Sequence, residues 1–595
     1  MKYNLATFNA KVEYYADRLK GKAEGKVVFV ILNLEQNEAF YSIAPLSRAI
    51  HNLGGDLHAM VIDENSNNLE ILKDVWYVYD DWVKKKLNTR KVKALKSFIK
   101  AVNKRTKTSV FKEIFKGPDI ILKAGENGFT GTMELEYKFR WHKKYRVNEL
   151  LETASKIWKQ GYDLKKGERA GISFVLVPSE KHTELPLEDY LDSYSIALAM
   201  ALSAKKFGVN LRIGASSDRF SLLAKPVRTA ELVTTLRGCE LSKDVDEEVF
   251  KKYKEFSEIL KIDRMDHTQA GFGIHAKGYY GKHFFGDSIG YPSLDKKTRW
   301  SSPGQLMLKD RYEPQTALEK RDPMMRYAVT ETLPIDIFIE TCNINYDKLR
   351  KRSMTIRDIF NKCEYIRVVG EVADGYKTDF TVNLVSNDGK IRRLFTAQDS
   401  DVQDIIDKEY YKRTKIKAGS YANFPSGETF VTPESIYGMM VGDVVINIDR
   451  SYVIPDKTPI VVEFKGNRYN VIKAPKRLKE VMIKERGDAR QRLNDIEKSG
   501  SLPKEVVDIY KKNFWNIGEF AVNTNPKAKL CNYLIVNEKI ARMIHVALGL
   551  GFEPDRKTMY HWDIVVNAPR QKLDIYGVDK EKKVHWVLKK GDFVA

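Results

Sequence analysis

A chain of 595 residues exceeds what one hydrophobic core organises, so two or three domains are expected. Its 43% hydrophobic and 30% charged residues are those of an ordinary soluble protein, and no run is apolar and long enough to span a membrane. The start, Met1-Lys2-Tyr3-Asn4, has no signal-peptide core, and Cys239, Cys342, Cys363 and Cys531 fall in no metal or redox spacing. A cytoplasmic protein with free thiols is the expectation.

The net charge of +21 admits two accounts, nucleic-acid binding or a lysine-rich solvated surface. Between Lys84 and Lys112 there are a dozen Lys and Arg and no acid, with Val92, Leu95, Phe98, Ile99 and Val102 at helical spacing. This predicts a basic amphipathic helical insertion at about 83–112. No nucleic-acid reader motif accompanies it, so the solvated surface is preferred, and neither nucleic acid nor membrane is expected as a partner.

In chain order, Lys26 to Leu32 reads as a buried strand. A helix follows through Ile43, Leu46 and Ile50, ends at Leu53-Gly54-Gly55, and gives way to a strand over Leu57 to Ile62. Gly171 to Val177, Leu187 to Phe207 with Gly208 as stop, and Val209 to Ile213 repeat that strand–helix–strand order. Such units predict a parallel sheet covered by helices, and their likeness fits either an internal repeat or convergence. Neither strand runs into a Gly-x-Gly-x-x-Gly loop, so no nucleotide is predicted.

From about Asp263 to Asp322 the chain is rich in Gly, Tyr, Phe and Pro and reads as irregular, including Gly271-Phe272-Gly273-Ile274-His275. His275, His283 and Asp287 carry donors for a second metal site, but a structured aromatic loop is the preferred reading. After Ile356 short strands dominate. Val461–Phe464 and Tyr469–Ile472 flank Gly466-Asn467 as a hairpin, and charged helices follow between Lys476 and Lys512. The fold class is therefore α/β, an N-terminal parallel-sheet domain followed by a mixed, strand-rich α+β catalytic domain. The expected boundaries are 1–235, an irregular connecting segment 236–325, and a metal-dependent catalytic domain 326–595.

The chemistry concentrates near the end. Glu538 and His545 are seven apart and share a face if the segment is helical. His561 and Asp563 are two apart and share a face of a strand. Glu519 and Glu428 each follow a glycine, where backbone can approach a ligand closely. Four carboxylates and two imidazoles suffice for two divalent ions, and mixed nitrogen and oxygen donors suit zinc, manganese, cobalt or iron. The bland account makes Glu538 a helix-start acid capped by Asn537, and His561 a half-buried ring.

These residues carry a resemblance. Gly518-Glu519, Thr524-Asn525-Pro526-Lys527-Ala528, Glu538-Lys539, His545-Val546-Ala547-Leu548-Gly549 and His561-Trp562-Asp563 resemble the signature of the thermophilic metalloaminopeptidase family (aminopeptidase T type). So do Asn423-x-Pro425-x-Gly427-Glu428 and the segments Leu333-Pro334, Leu349 to Arg352, Ile366 to Val368 and Thr378 to Thr381, over roughly residues 320–570. The resemblance implies Glu428, Glu519, Glu538, His545, His561 and Asp563 as ligands of two divalent ions (zinc, with cobalt or manganese as alternatives). It also implies hydrolysis of N-terminal residues from peptides, and a homodimer. Glu519 is the candidate bridge or base. Better-known members place the glutamate five residues before the histidine and carry a tyrosine seven after it. Here the first separation is seven and Phe552 stands in the tyrosine's place, with Tyr560 as the candidate substitute.

Two other readings stay open. His545, His561 and Asp563 alone form the ligand set of a mononuclear iron(II) ring-cleaving dioxygenase. A non-catalytic metal- or peptide-binding relative is the third.

Overall fold

The computed structural model describes residues 3–34, 37–62, 97, 119–137, 146–183, 185–216, 270–275, 326–373, 375–397, 420–499, 504–551 and 556–595. The basic segment 83–112 (apart from Ser97), His283, Asp287 and Phe552 lie outside them. Among the described residues no helix is long and apolar enough to cross a membrane. The chain divides into two compact units, one of 1–276 with 323–339 and one of 277–322 with 340–595.

In the first unit, helix α1 (Leu5–Leu19) precedes strand β1 (Val27–Asn33), helix α2 (Asn37–Asn52) and strand β2 (Asp56–Ile62). Strands β3 (Ile120–Ala124), β4 (Gly128–Gly131) and β5 (Leu135–Glu136) come next, then helix α3 (Val147–Lys156). The second strand–helix–strand run is β6 (Arg169–Val175), α4 (Leu187–Lys206) and β7 (Asn210–Ser216), followed by β8 (Ala270–His275) and β9 (Arg326–Glu331). Gly208 takes φ +68°, a left-handed C-terminal stop for α4.

The expected parallel pairing holds within each half: β1 lies parallel to β2 and β3, and β6 parallel to β7 and β8. The halves meet antiparallel through β2 and β7. Each half has its first strand flanked by its second strand and by the strand that follows, so the resemblance of the two sequence units is matched by a repeated strand order. One expectation is corrected. Gly271 to His275 is not irregular; it is the parallel strand β8, buried between β6 and β9. Phe272 packs against Trp158, and the Gly271 carbonyl accepts from the Tyr162 hydroxyl. Burial on both faces overrides the glycine content.

Helix α5 (Ile335–Cys342) begins in the first unit, whose last residue is Ile339. The second unit carries α6 (Tyr346–Phe360) and strands β10 (Cys363–Ala373), β11 (Tyr376–Asn383), β12 (Ser420–Asn423), β13 (Glu428–Val431), β14 (Ser435–Gly442), β15 (Val445–Asn447), β16 (Ser451–Val453), β17 (Ile460–Gly466) and β18 (Arg468–Lys473). Helices α7 (Lys476–Ser499) and α8 (Lys504–Lys512) follow. The chain ends with β19 (Ile517–Asn523), the short helix α9 (Leu534–Asn537), β20 (Met543–Gly549), β21 (His561–Asn567), α10 (Ala568–Gln571), β22 (Asp574–Asp579), β23 (Val584–Lys589) and β24 (Asp592–Phe593).

The expected hairpin is β17–β18. One sheet has eight strands in the order β18-β17-β14-β11-β10-β22-β23-β24 and the other six in the order β13-β19-β20-β21-β15-β16. Their inner faces share one core. Val368, Phe380, Met440 and Phe464 from the larger sheet pack with Phe520, Val522, Val546 and Ile564 from the smaller. The result is a mixed α/β chain, with an N-terminal mixed sheet and C-terminal antiparallel, strand-rich sheets.

Candidate metal centre

Strand alternation builds the site. On β19, β20 and β21 the residues Phe520, Val522, Ile544, Val546, Leu548, Trp562 and Ile564 point into the core. Every intervening residue faces the other way. That outer face carries Glu519, Ala521 and Asn523 on β19, His545, Ala547 and Gly549 on β20, and His561, Asp563 and Val565 on β21. The register sets Glu519, Ala547 and Asp563 in one row and Ala521, His545 and Val565 in the next. Alanine and glycine between the polar residues leave room for them. Glu428, at the start of β13, sits opposite Asn523.

Two glycines make this face possible. A Cβ on Gly518 would lie 1.9 Å from the Leu550 carbonyl oxygen, at the point where β19 bulges against β20. Gly427 takes φ +133°, and a Cβ there would fall 2.8 Å from the backbone nitrogen of Asn525. The glycines were expected to let backbone approach a ligand; here they let two stretches of the chain's own backbone approach, and that positions Glu519 and Glu428.

The side chains converge. His545 Nε2 lies 3.6 Å from Glu428 Oε2, 3.4 Å from Glu519 Oε1 and 4.0 Å from Asp563 Oδ1. His561 Nε2 lies 3.4 Å from Glu519 Oε2 and 3.1 Å from Asp563 Oδ1. Two donor triads result, Glu428–Glu519–His545 and Glu519–His561–Asp563, and Glu519 belongs to both. Glu519 Oε1 and Asp563 Oδ1 are buried without a hydrogen bond. Ligands each about 2.0–2.2 Å from one ion stand roughly 3–3.5 Å apart, so this spacing fits a metal ion better than direct contact.

The imidazoles are oriented for it. His561 Nδ1 donates to the Leu550 carbonyl at 2.8 Å, and His545 Nδ1 to the Asn523 side-chain oxygen at 2.9 Å. Each Nε2 is thereby left as the acceptor nitrogen that a metal requires. Asn523 is a residue of this cluster to which the motif reading gave no role. Its signal was available, two residues from Ala521 on the face that carries Glu519.

The electrostatics agree. Burial alone would raise Glu519, but the imidazoles of His545 and His561 hold it below the ordinary glutamate value. Asp563 is likewise held low against its burial by His561 and His545. Burial would lower His561, yet Asp563 and Glu519 raise it well above the ordinary histidine value. A field that holds a proton on a buried imidazole also attracts a cation in its place.

Glu538 arrives differently from the expectation. It does not share a helix with His545; α9 is one turn long, Glu538 caps it, and His545 stands on β20. Arg542 turns the chain with φ +64° between them, and Ile544 and Val546 favour the strand. Glu538 still reaches Asp563. Lys539, quoted within the motif but given no role there, is fully buried beside it, with Nζ 2.7 Å from Glu428 Oε1 and 3.2 Å from Glu538 Oε1.

Tyr560 is not brought to the cluster. It projects into the core beside Trp562, with its hydroxyl donating to the Phe514 carbonyl and 2.7 Å from the Tyr469 hydroxyl.

No family model matches the chain, and no curated protein sequence does. A solved structure, wild-type AmpT from Thermus thermophilus, matches over 75% of this chain and 99% of its own, with a TM-score of 0.38 and 12% sequence identity.

Proposed function

We propose that this chain is a metal-dependent aminopeptidase, hydrolysing N-terminal residues from peptides at a pair of divalent ions. The observation that carries the reading is Glu519, whose two oxygens face different imidazoles at 3.4 Å each. A carboxylate shared by two donor triads would serve two ions at once, and a mononuclear iron site has no use for such a group. The motif resemblance over the same residues supports the peptide substrate. Zinc, cobalt or manganese fits the donor set. A cytoplasmic homodimer completes the proposal.

Divalent ions held by Glu428, Glu519, His545, His561 and Asp563 would lower the pKa of a shared water and polarise the scissile carbonyl. The chain's own residues do the rest. Leu550 and Asn523 fix the histidine tautomers. A free carboxylate near the ions would take a proton from the water and return it to the leaving amine; Glu538, whose Oε1 lies 3.2 Å from Lys539 Nζ, would be that group or a sixth ligand. The test is elemental analysis of the purified protein together with aminoacyl-p-nitroanilide hydrolysis. Two zinc, cobalt or manganese equivalents with amine-end cleavage are expected. One iron without hydrolysis would replace this reading by the oxygenase.

A further inference from the structure

We infer that Lys539 is a built-in cation of the metal centre, one that competes with the ion in the Glu428 half and makes the two ions unequal. The side chain has no exposure at all. A buried ammonium persists only where fixed negative charge compensates it, and the compensation here comes from Glu428 and Glu538. Glu428 therefore serves two cations. Its Oε1 holds the ammonium at 2.7 Å, while its Oε2 faces His545 Nε2 at 3.6 Å, within the first donor triad. Like charges on opposite oxygens of one buried carboxylate repel.

The lysine cannot easily move away. Its carbonyl accepts from the backbone N–H of Asn525 at 3.0 Å, and its own N–H donates to Val536 at 3.1 Å. The Asn525 side chain in turn donates to the Ser426 carbonyl at 2.8 Å, two residues before Glu428. The ammonium and its carboxylate are thus tied to the same backbone knot.

Charge counting gives the consequence. Glu428, Glu519, Glu538 and Asp563 offset two divalent ions, and Lys539 adds a further positive charge. It stabilises the metal-free fold, where the carboxylates would otherwise lack a counter-ion, and it disfavours the ion beside Glu428. The loaded centre is left net positive and favours a bound anion such as hydroxide. The inference rests on the metal-hydrolase reading only in taking both triads to bind ions.

The test uses the full chain stripped with a chelator and titrated with Mn2+ or Zn2+ against a chromophoric chelator, with stoichiometry by elemental analysis. Wild type should show two dissociation constants at least tenfold apart. Lys539→Gln, which keeps a donor and drops the charge, and Lys539→Met, which drops both, should tighten the weaker constant at least tenfold. The tighter constant should stay within about threefold. Where a stripped variant fails to fold, it is purified loaded, and one of its two ions should leave to excess chelator more slowly than from wild type. An unchanged or loosened weaker site in both variants, or unchanged release, overturns the inference alone. Absence of divalent-ion binding in wild type and variants overturns it together with the proposed function.

Discussion

His561 and Leu550 are joined by a hydrogen bond of 2.8 Å from the imidazole Nδ1 to the carbonyl oxygen, and that oxygen occupies the space a side chain on residue 518 would need. The orientation of a histidine in the candidate metal cluster thus depends on a glycine on another strand. Gly518→Ala is expected to displace the carbonyl, to cost about 1–3 kcal/mol of stability, and to lower metal content. Calorimetry and elemental analysis check both; a variant with wild-type melting and full occupancy would break the link.

Asn523 should behave as the orienting partner of His545. Asn523→Ala is expected to weaken metal affinity by about 10–100-fold, whereas Asn523→Asp, which keeps the acceptor oxygen, should retain most of it. Chelator competition distinguishes the two. Equal losses in both variants would point to packing rather than orientation.

Glu519 and His561 should differ in kind. Glu519 faces both imidazoles, so Glu519→Gln is expected to weaken both ions; His561 belongs to one triad, so His561→Ala should remove one equivalent and leave the other. Elemental analysis after dialysis reads the difference directly, and identical stoichiometries would contradict the bridging role.

Tyr560 provides a separation of stability from chemistry. Its hydroxyl bonds Phe514 and Tyr469 in the core, so Tyr560→Phe should cost about 1–3 kcal/mol of stability and leave kcat per folded molecule nearly unchanged. A large fall in kcat with unchanged melting would restore a transition-state role.

The first unit carries a pH-dependent element of its own. Burial raises Asp192 to about 6, against the hydrogen bonds it accepts from the Tyr3 hydroxyl and the Ile335 N–H. A carboxyl raised on folding contributes stability that is present below about pH 4 and lost as pH rises through about 6. Asp192→Asn should therefore gain about 1–3 kcal/mol relative to wild type on going from pH 4 to pH 7.5. Denaturant melts of both proteins at the two pH values test the sign; a difference that does not change with pH would refute it.

Much of this was readable in one dimension, because its cause is local. The His561-x-Asp563 spacing implied one face of a strand, and β21 provides it. The glycines before Glu428 and Glu519 implied close backbone approach to a ligand, whereas what stands against them is the chain's own backbone at Asn525 and Leu550. Strand–helix–strand order implied parallel pairing within each half of the first unit. Where a period was ambiguous the reading failed. Seven residues between Glu538 and His545 suit two helical turns, yet the chain breaks at Arg542 and enters β20. The glycines of Gly271 to His275 suggested a loop, yet burial between two parallel strands decided otherwise.

The donor types and the pairing of His561 with Asp563 follow from residue identity and spacing, since backbone period is a property of a few neighbouring residues. That Glu519 is shared between two histidines, that Tyr560 faces the core, and that a buried Lys539 sits among the carboxylates depend on sheet register, strand order and the turn after α9. Those bring together side chains more than a hundred positions apart, and no short-range pattern records which neighbours a buried charge will find.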